Sequence, residues 1–231
     1  MKALFYKEQK GHQAIKLGEF PVPEITDTEV LVRVKAFSLN HLDVWVMSGN
    51  YPLTIPLPHI FGSDASGIVE RIGKAVTHLK AGDEVVIHPG LSCGHCAACL
   101  GSRDNECNEF SVLGVVTPGV SAEYVKVPAG NLFPKPAGLS FEEAAGIGVT
   151  YTTAWNSLVL RAGIRQGETV LVQAAGSGAG TAVIQVAKLY NATVITTVGD
   201  DWKAARAKEL GADLVINHRQ EDFLDAVKRF T

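Results

Sequence analysis

The chain has 231 residues, of which 46% are hydrophobic, so it is long enough to bury the cores of one large or two small domains. Its formal net charge of -3 provides no basic surface for nucleic acid or for an anionic membrane. Neither a signal peptide nor a membrane-spanning segment is evident in the sequence, so we expect a cytoplasmic protein without a membrane partner.

The first part of the chain has the pattern of a β-rich domain. The residues at even positions of 30–36 are apolar, and the odd positions between them hold Leu31, Arg33 and Lys35. This alternation has the period of a half-buried strand. Further elements are predicted as strands at 67–72, 84–87 and 122–127 and as a short helix at 42–47. Glycine and proline turns separate them. We therefore predict a compact all-β or partly open barrel domain over residues 1–130.

All four cysteines lie in one short segment with the spacing C-x2-C-x2-C-x7-C. They are Cys93, Cys96, Cys99 and Cys107. Four thiolates this close in sequence can converge on one tetrahedral ion, which predicts a structural zinc lobe at about residues 91–110. Such a site has no open coordination position, so it would stabilise a loop and not catalyse. The alternatives are a disulfide pair, which lacks a secretory context, an iron–sulfur cluster, which lacks its usual spacing, and unliganded thiols.

The segment from Pro128 to Pro136 is rich in proline, and we interpret it as a linker between two domains. After it, Ser140 and Glu143 have the spacing of a capping box, which predicts the start of a helix. A second helix is predicted at residues 150–162. These elements would begin a second domain that covers residues 131–231.

A glycine-rich turn joins a predicted strand at residues 169–172 to a predicted helix at residues 181–188. The turn contains the candidates for binding a pyrophosphate, which are Gly176, Ser177, Gly178, Ala179 and Gly180. Glycines let an anion approach the main chain, and free N–H groups at a helix start attract it. The pattern is an imperfect G-x-G-x-x-G, because Ala175 and Ser177 occupy its first two glycine positions. A tight turn without a ligand therefore stays an alternative.

Two more pairs of strand and helix follow the glycine-rich turn and its helix. Strands are predicted at residues 193–198 and 213–217, and helices at residues 201–210 and 221–230. The resulting β-α-β-α-β-α order is the first half of a doubly wound nucleotide-binding fold. The strand at 169–172 would lie at an open apolar edge. We therefore expect the chain to be a fragment of a longer protein.

Several separate motifs agree with this architecture. They are Asn40-His41-Leu42-Asp43, Phe61 to Gly67, Ala81 to Val85, the four-cysteine lobe, Thr150 and the glycine-rich turn. With these motifs, the sequence resembles the medium-chain dehydrogenase/reductase superfamily, which includes zinc alcohol dehydrogenases and quinone oxidoreductases. The resemblance covers essentially the whole chain. It implies an α/β protein with an N-terminal GroES-like catalytic domain and a partial Rossmann cofactor domain, which forms homo-oligomers at full length.

The sequence departs from the zinc alcohol dehydrogenases at their catalytic metal. Their zinc ligands are a Cys, a His and a second Cys, and the matching positions here are Asn40, Ser63 and Gly146. These residues are poor zinc ligands, so the resemblance implies loss of the catalytic zinc. A substitute site is an alternative, and its candidates are His41, Asp43, His59 and Asp64.

The pair Asn40 and Asp43 resembles the zinc-free branch of the superfamily. That branch implies an NAD(P)H-dependent oxidoreductase that passes hydride to a quinone or a conjugated carbonyl. Two alternatives stay open, an alcohol dehydrogenase with atypical metal ligands and a non-catalytic fragment that folds around zinc.

The resemblance also implies site residues for hydride transfer. The Asn40 amide and the Tyr51 hydroxyl would donate hydrogen bonds to the carbonyl oxygen, and Thr150 would contact the nicotinamide. Asp43 would orient its neighbours. Each residue also has an ordinary structural interpretation: Asn40 and Thr150 as helix caps, Asp43 as a first-turn carboxylate, and Tyr51 as a packing residue.

The cofactor is expected to be NADP, with NAD possible. Enzymes that use NAD place an acidic residue at the end of the second strand, and Val198 occupies that position here. Gly199 and Lys203 resemble NADP-using quinone oxidoreductases, in which the lysine meets the 2′-phosphate. Asp200 and Asp201 oppose this assignment unless they serve as caps of the next helix.

Overall fold

The computed structural model describes residues 1–231. Internal contacts divide the chain into two compact units, Met1–Val149 and Thr150–Thr231. None of its helices is both long enough and apolar enough to cross a lipid bilayer. The predicted boundary after residue 130 lies earlier than the division in the structure, and it stays a prediction about functional domains.

The first unit is mainly β-structure. Its elements are β1 (Lys2–Tyr6), β2 (Lys16–Glu19), β3 (Glu29–Ser38), α1 (His41–Met47), β4 (His59–Ile60), β5 (Asp64–Ile72), β6 (Glu84–Ile87), β7 (Gly90–Leu91), α2 (Ala97–Leu100), β8 (Ser111–Val112), β9 (Tyr124–Pro128), β10 (Leu132–Pro134) and α3 (Phe141–Ala145). The helix α4 (Gly148–Trp155) follows and contains the division between the units.

One antiparallel sheet organises the first unit, with the strand order β10-β6-β5-β3-β9. The alternating side chains of β3 place Val30 and Val32 in its core together with Val69 and Val85, and all four are almost fully buried. Two smaller sheets, β2-β1-β4 and β7-β8, complete the unit. The predicted β-rich first part is therefore confirmed, with its short helix at α1.

The interpretation of residues 128–136 as a linker is wrong. The strand β10 pairs antiparallel with β6, and Leu132 lies opposite Ile87. Leu132 is buried in the core of the first unit. The prolines suggested an irregular segment, but an edge strand can tolerate proline because one of its sides carries no ladder hydrogen bonds. This strand and the following α3 belong to the first unit, which moves the structural division toward Val149.

The second unit has the predicted alternation of strands and helices. Its elements are β11 (Thr169–Val172), α5 (Gly178–Leu189), β12 (Thr193–Val198), α6 (Asp201–Glu209), β13 (Leu214–Asn217) and α7 (Phe223–Phe230). The three strands are parallel in the order β11-β12-β13, so β11 lies at an edge as expected. Buried aliphatic residues of α5 and β12 form its core, among them Ile184 and Val194.

Two helices of the structure differ in their bounds or type from the predicted helices. The predicted helix at residues 150–162 is α-helical only to Trp155 and continues as a π-helical stretch from Asn156 to Arg161. The wider turn of a π-helix is not visible in residue periodicity over so short a segment. The predicted helix at residues 181–188 begins three residues earlier, at Gly178, because Ser177 caps it.

Candidate functional site

A buried hydrogen-bond network surrounds Asn40 in the first unit. The antiparallel pairing of β3 and β5 places Ser38 opposite Asp64, and Asn40 follows two residues after the end of β3. As a result, Asn40 Nδ2 donates to Asp64 Oδ2 at 2.9 Å. The topology of two neighbouring strands therefore brings together residues that are 24 positions apart in the chain.

Asp43 holds the main chain of Asn40. Its Oδ2 accepts a hydrogen bond from the Asn40 backbone N–H at 2.7 Å. Asn40 occupies the N-cap position of α1, where it forms a capping box with Asp43. The interpretation of Asn40 as a helix cap therefore fits its position, and its side-chain amide is in addition engaged by Asp64.

Both carboxylates of this network are shielded from water. Asp64 is 0% exposed and Asp43 is 3% exposed. Burial raises the pKa of Asp64 to about 6, against the opposing effect of hydrogen bonds from Asn40 and Val149. Burial also raises the pKa of Asp43. At both groups, hydrogen bonds from N–H donors oppose this effect of desolvation on the pKa.

The residues at the catalytic zinc positions do not fit a zinc ion. The Asn40 amide nitrogen donates to a carboxylate, Ser63 is fully buried, and Gly146 has no side chain. The substitute set also fails to assemble, because neither of the two metal-ligating groups in the structure contains His41, Asp43, His59 or Asp64. His59 instead forms a hydrogen bond with the Gly114 carbonyl at 2.9 Å.

Tyr51 is half-buried against an apolar cluster of the first unit. Tyr6 belongs to the same cluster, and its pKa is raised to about 12 by burial and then by the charge of Asp43. The packing interpretation of Tyr51 therefore has direct structural support, and its role as a hydrogen-bond donor stays a prediction.

In the second unit, the glycine-rich turn has the geometry of an anion cradle. Ser177 caps α5, since its Oγ accepts the Gly180 N–H at 3.0 Å. A Cβ on Gly180 would collide with the Ala174 carbonyl oxygen, so only glycine lets the helix start so close to the turn. The N–H groups of Gly178 and Ala179 lie in the first turn of the helix, where no intrahelical acceptor exists for them.

Thr150 lies beside this turn. Its Cγ2 would be 3.0 Å from a Cβ built on Gly178, so the threonine methyl group packs closely on the helix start. The structure therefore brings together Thr150 and the five predicted turn residues within the second unit.

A cavity of about 540 Å³ adjoins the turn and the ends of β12 and β13. It is lined by Gly176, Ser177, Gly199, Asp200, Lys203 and Arg219, among others. The predicted residues Gly199 and Lys203 thus line the same cavity as part of the turn. His218 and Arg219 also line the cavity, and the sequence motifs do not predict them. Their position directly after β13 is the available signal, because ligands bind at the carboxyl ends of parallel strands.

Asp200 connects the charges of this cavity. Its carboxylate forms ion pairs with Lys203 Nζ at 2.9 Å and with Arg219 Nη1 at 3.0 Å. The Lys203 hydrogen bond is the main cause that lowers the pKa of Asp200. Asp200 is the N-cap residue of α6 but makes no side-chain cap, so its interpretation as a cap is wrong. Two cations and one carboxylate leave this end of the cavity with a net positive charge.

The four cysteines converge as predicted. Their sulfur atoms lie within 4.8 Å of one another. The Sγ distances are 3.8 Å for Cys93 to Cys99, 3.5 Å for Cys96 to Cys99 and 3.6 Å for Cys107 to Cys93. A tetrahedral zinc with Zn–S bonds of about 2.3 Å needs sulfur separations of about 3.8 Å. The four thiols therefore fit a tetrahedral thiolate-bound ion.

The main chain of the lobe favours a thiolate at Cys93. Backbone N–H groups of His95 and Cys96 lower the pKa of Cys93 to about 6. His95 itself is exposed, and its Nδ1 forms a hydrogen bond with the Cys93 carbonyl. The imidazole is therefore exposed and bonded to a carbonyl outside the four-sulfur cluster.

Comparison with known proteins adds family information to this geometry. Residues 26–137 match the family described as "Alcohol dehydrogenase GroES-like domain", and residues 178–231 match "Zinc-binding dehydrogenase". The first match covers the Asn40 network and the cysteine lobe. The second begins at Gly178, in the glycine-rich turn.

The activity named for a relative differs from one relative to another. An "Alcohol dehydrogenase" of Geobacillus stearothermophilus is 36% identical over 99% of this chain and 67% of its own length. A human "Quinone oxidoreductase" is 29% identical over 100% of this chain and 62% of its own length. The crystal structure of an "NAD-dependent alcohol dehydrogenase" is 48% identical with a TM-score of 0.97, covering 100% of this chain and 67% of that one. The chain thus spans about two thirds of the length of these proteins.

Proposed function

The chain belongs to the medium-chain dehydrogenase/reductase superfamily, and from this membership we propose that it transfers hydride from a nicotinamide cofactor to a quinone or a conjugated carbonyl without a catalytic zinc. The observation that carries the zinc-free part is the hydrogen bond from Asn40 Nδ2 to Asp64 Oδ2. The amide nitrogen has no lone pair for a metal, and the neutral amide oxygen that remains is not among the usual ligands of zinc.

Reduction of a carbonyl builds negative charge on its oxygen, and hydrogen-bond donors can stabilise that charge in place of a metal. We assign this role to the Asn40 amide and the Tyr51 hydroxyl. Asp43 holds the backbone N–H of Asn40 and so orients the residue. Thr150, which packs on the start of α5, would contact the nicotinamide. The cofactor supplies the hydride when it is bound.

The glycine-rich turn would hold the pyrophosphate of the cofactor. The N–H groups of Gly178 and Ala179 and the positive end of α5 suit an anion, Gly176 lets the Lys203 side chain lie against the turn, and Gly180 lets the helix start close to Ala174. We propose NADP as the cofactor, because the net positive charge of the cavity suits a 2′-phosphate near Lys203. The 48% identical structure is named NAD-dependent, so the same site with NAD is the competing outcome.

The cysteine lobe would hold a structural zinc. Cys93, Cys96, Cys99 and Cys107 would supply all four ligands, so the ion would have no open position for a substrate. Its role would be to stabilise the loop between β7 and β8.

A second candidate is an alcohol dehydrogenase, which is favoured by the names of the two most similar relatives described above. Metal analysis and kinetics separate the two. We expect one zinc per chain. We also expect that the chain oxidises NADPH with a conjugated enone as acceptor, and that this activity persists after a chelator has removed loosely bound metal. A second zinc per chain, lost in Asn40→Ala together with alcohol oxidation, would support the alcohol dehydrogenase instead.

Cofactor binding is measured separately by fluorescence titration of the 231-residue chain with NADPH and NADH. Binding of either cofactor supports the assignment of the glycine-rich turn. Binding of neither, by a folded and zinc-loaded chain, would make these residues a non-catalytic unit that folds around zinc.

A further inference from the structure

An asparagine amide has a donor end and an acceptor end of almost the same shape, so its neighbours decide which end faces a ligand. For Asn40 that neighbour is Asp64. An ionised carboxylate can only accept hydrogen bonds, so the amide must present Nδ2 to Asp64 Oδ2. One proton of the Nδ2 group is used in this bond, and the second is left for another acceptor.

Further contacts fix the orientation of the Asp64 carboxylate. Its Oδ1 accepts the backbone N–H of Val149 at 2.8 Å. Gly148 makes this approach possible, because a Cβ at that position would collide with Asp64 Oδ1. A side-chain hydrogen bond from Ser38 adds a further neutral donor. The carboxylate is therefore fixed at both oxygens inside a fully buried pocket.

We propose that Asp64 is a positioning residue, which fixes the Asn40 amide with its donor end available to the substrate oxygen. This role rests on the proposed function of Asn40 as a donor to the carbonyl. It gives a reason for a buried acid at the start of a strand whose next residues are otherwise apolar or small.

The substitution Asp64→Asn tests the proposal because it keeps the shape and reverses the polarity. The backbone N–H of Val149 is a fixed donor, so Oδ1 of the new amide must face it. The NH2 group of the new amide must then face Asn40. Two donors cannot pair, so the Asn40 amide is expected to rotate and present Oδ1 to residue 64. A hydrogen bond between residues 40 and 64 is retained, but Nδ2 of Asn40 no longer occupies the position from which it would donate to the substrate oxygen.

Side-chain amide NMR with hydrogen exchange reads this orientation directly. The wild-type chain at about pH 8, where Asp64 is ionised, should show one slowly exchanging Asn40 Nδ2 proton, identified by its loss in Asn40→Ala. In Asp64→Asn that protected proton should disappear and a protected amide proton of residue 64 should replace it. Asp43→Asn is the matched control, because Asp43 bonds the backbone N–H groups of Asn40 and Gly62 and not the Asn40 side chain, so the protected side-chain proton should stay in place.

Two results would overturn the proposal. One is a rapidly exchanging Asn40 amide in the wild-type chain, a measurement that does not depend on any variant folding. The other is an Asn40 proton that stays protected in Asp64→Asn.

Kinetics then separate this proposal from the proposed function. If Asn40 stabilises the carbonyl oxygen, Asp64→Asn should lower kcat about 100-fold with little change in KM. An inverted Asn40 amide with full enone reductase activity would contradict the role of Asn40 in catalysis and leave the positioning by Asp64 intact. An unchanged amide with lost activity would contradict the positioning and leave the catalytic role intact.

Discussion

Asp200 Oδ2 and Lys203 Nζ lie 2.9 Å apart, so the lysine assigned to the cofactor 2′-phosphate is already paired within the protein. The same carboxylate also pairs with Arg219. A phosphate that binds here must compete with Asp200 for both cations, whereas a ribose hydroxyl could donate to Asp200. The balance between NADP and NAD therefore depends on this one carboxylate.

Removing the charge of Asp200 should favour NADPH. Asp200→Asn is expected to tighten NADPH binding about three- to fivefold, in keeping with the small energies of exposed ion pairs, and to weaken NADH binding slightly. Fluorescence titration of both cofactors measures the two dissociation constants. Asp201→Asn is the control, because Asp201 accepts a hydrogen bond from Asn217 and is not paired with Lys203. A large loss of NADH affinity in Asp200→Asn, with no gain in NADPH affinity, would show that Asp200 is the ribose ligand of an NAD site.

Lys203→Ala should weaken NADPH binding, which is the opposite of the effect expected for Asp200→Asn. Loss of the ammonium group should weaken NADPH binding about tenfold or more and leave NADH binding nearly unchanged, because only NADPH carries the 2′-phosphate. Lys208→Ala is the matched control on the exposed side of α6. If both variants weaken the two cofactors equally, Lys203 does not contact the 2′-phosphate.

The buried Asp64 should make stability depend on pH. Its pKa is raised to about 6 in the folded chain from the ordinary aspartate value of 3.8, so between these values the folded state binds more protons than the unfolded state. The free energy of unfolding should therefore fall as pH rises through this range and level off above it, by up to about 3 kcal/mol for this group.

Urea unfolding of the wild-type chain and of Asp64→Asn at several pH values isolates this contribution. Asp64→Asn should gain stability relative to wild type as pH rises from about 4 to about 6. The control is Asp83→Asn, because a hydrogen bond from Lys80 lowers the pKa of Asp83, so its contribution changes mainly below about pH 4, with the opposite sign, and the difference from wild type should stay nearly constant from about pH 4 to about pH 6. A constant difference between wild type and Asp64→Asn across this range would exclude a raised pKa.

Cys107→Ser should abolish the metal site of the cysteine lobe. Cys107 is buried beside Cys93, and a hydroxyl is a much poorer zinc ligand than a thiolate. We expect zinc content to fall from one per chain to nearly none and the lobe to lose several kcal/mol of stability. His95→Ala is the control and should retain zinc, since His95 bonds a carbonyl outside the cluster. Retention of zinc by Cys107→Ser would contradict the four-thiolate site.

Local patterns were sufficient for much of this protein. The four-cysteine spacing predicted a converged cluster because short loops between ligands leave few other arrangements. The alternation of residues 30–36 predicted β3, and the strand, turn and helix pattern of residues 169–188 predicted β11 and α5. In each case the signal lies within one element, where burial imposes the period of the side chains.

Local patterns failed where partners are distant in sequence. The composition of residues 128–136 predicts a linker, because nothing within them reveals that Leu132 pairs with Ile87. The start of α5 was misplaced by three residues, since a glycine-rich turn and the first turn of a helix have the same composition.

The sequence alone determined the family motifs, the cysteine cluster and the order of strands and helices, because each depends on neighbouring residues. Only the tertiary structure decided that Asn40 donates to Asp64 and that Asp200 joins Lys203 to Arg219. Those contacts arise where the ends of neighbouring strands meet, β3 with β5 and β12 with β13. Strand register sets such distances, and register is a property of the sheet that no single segment carries.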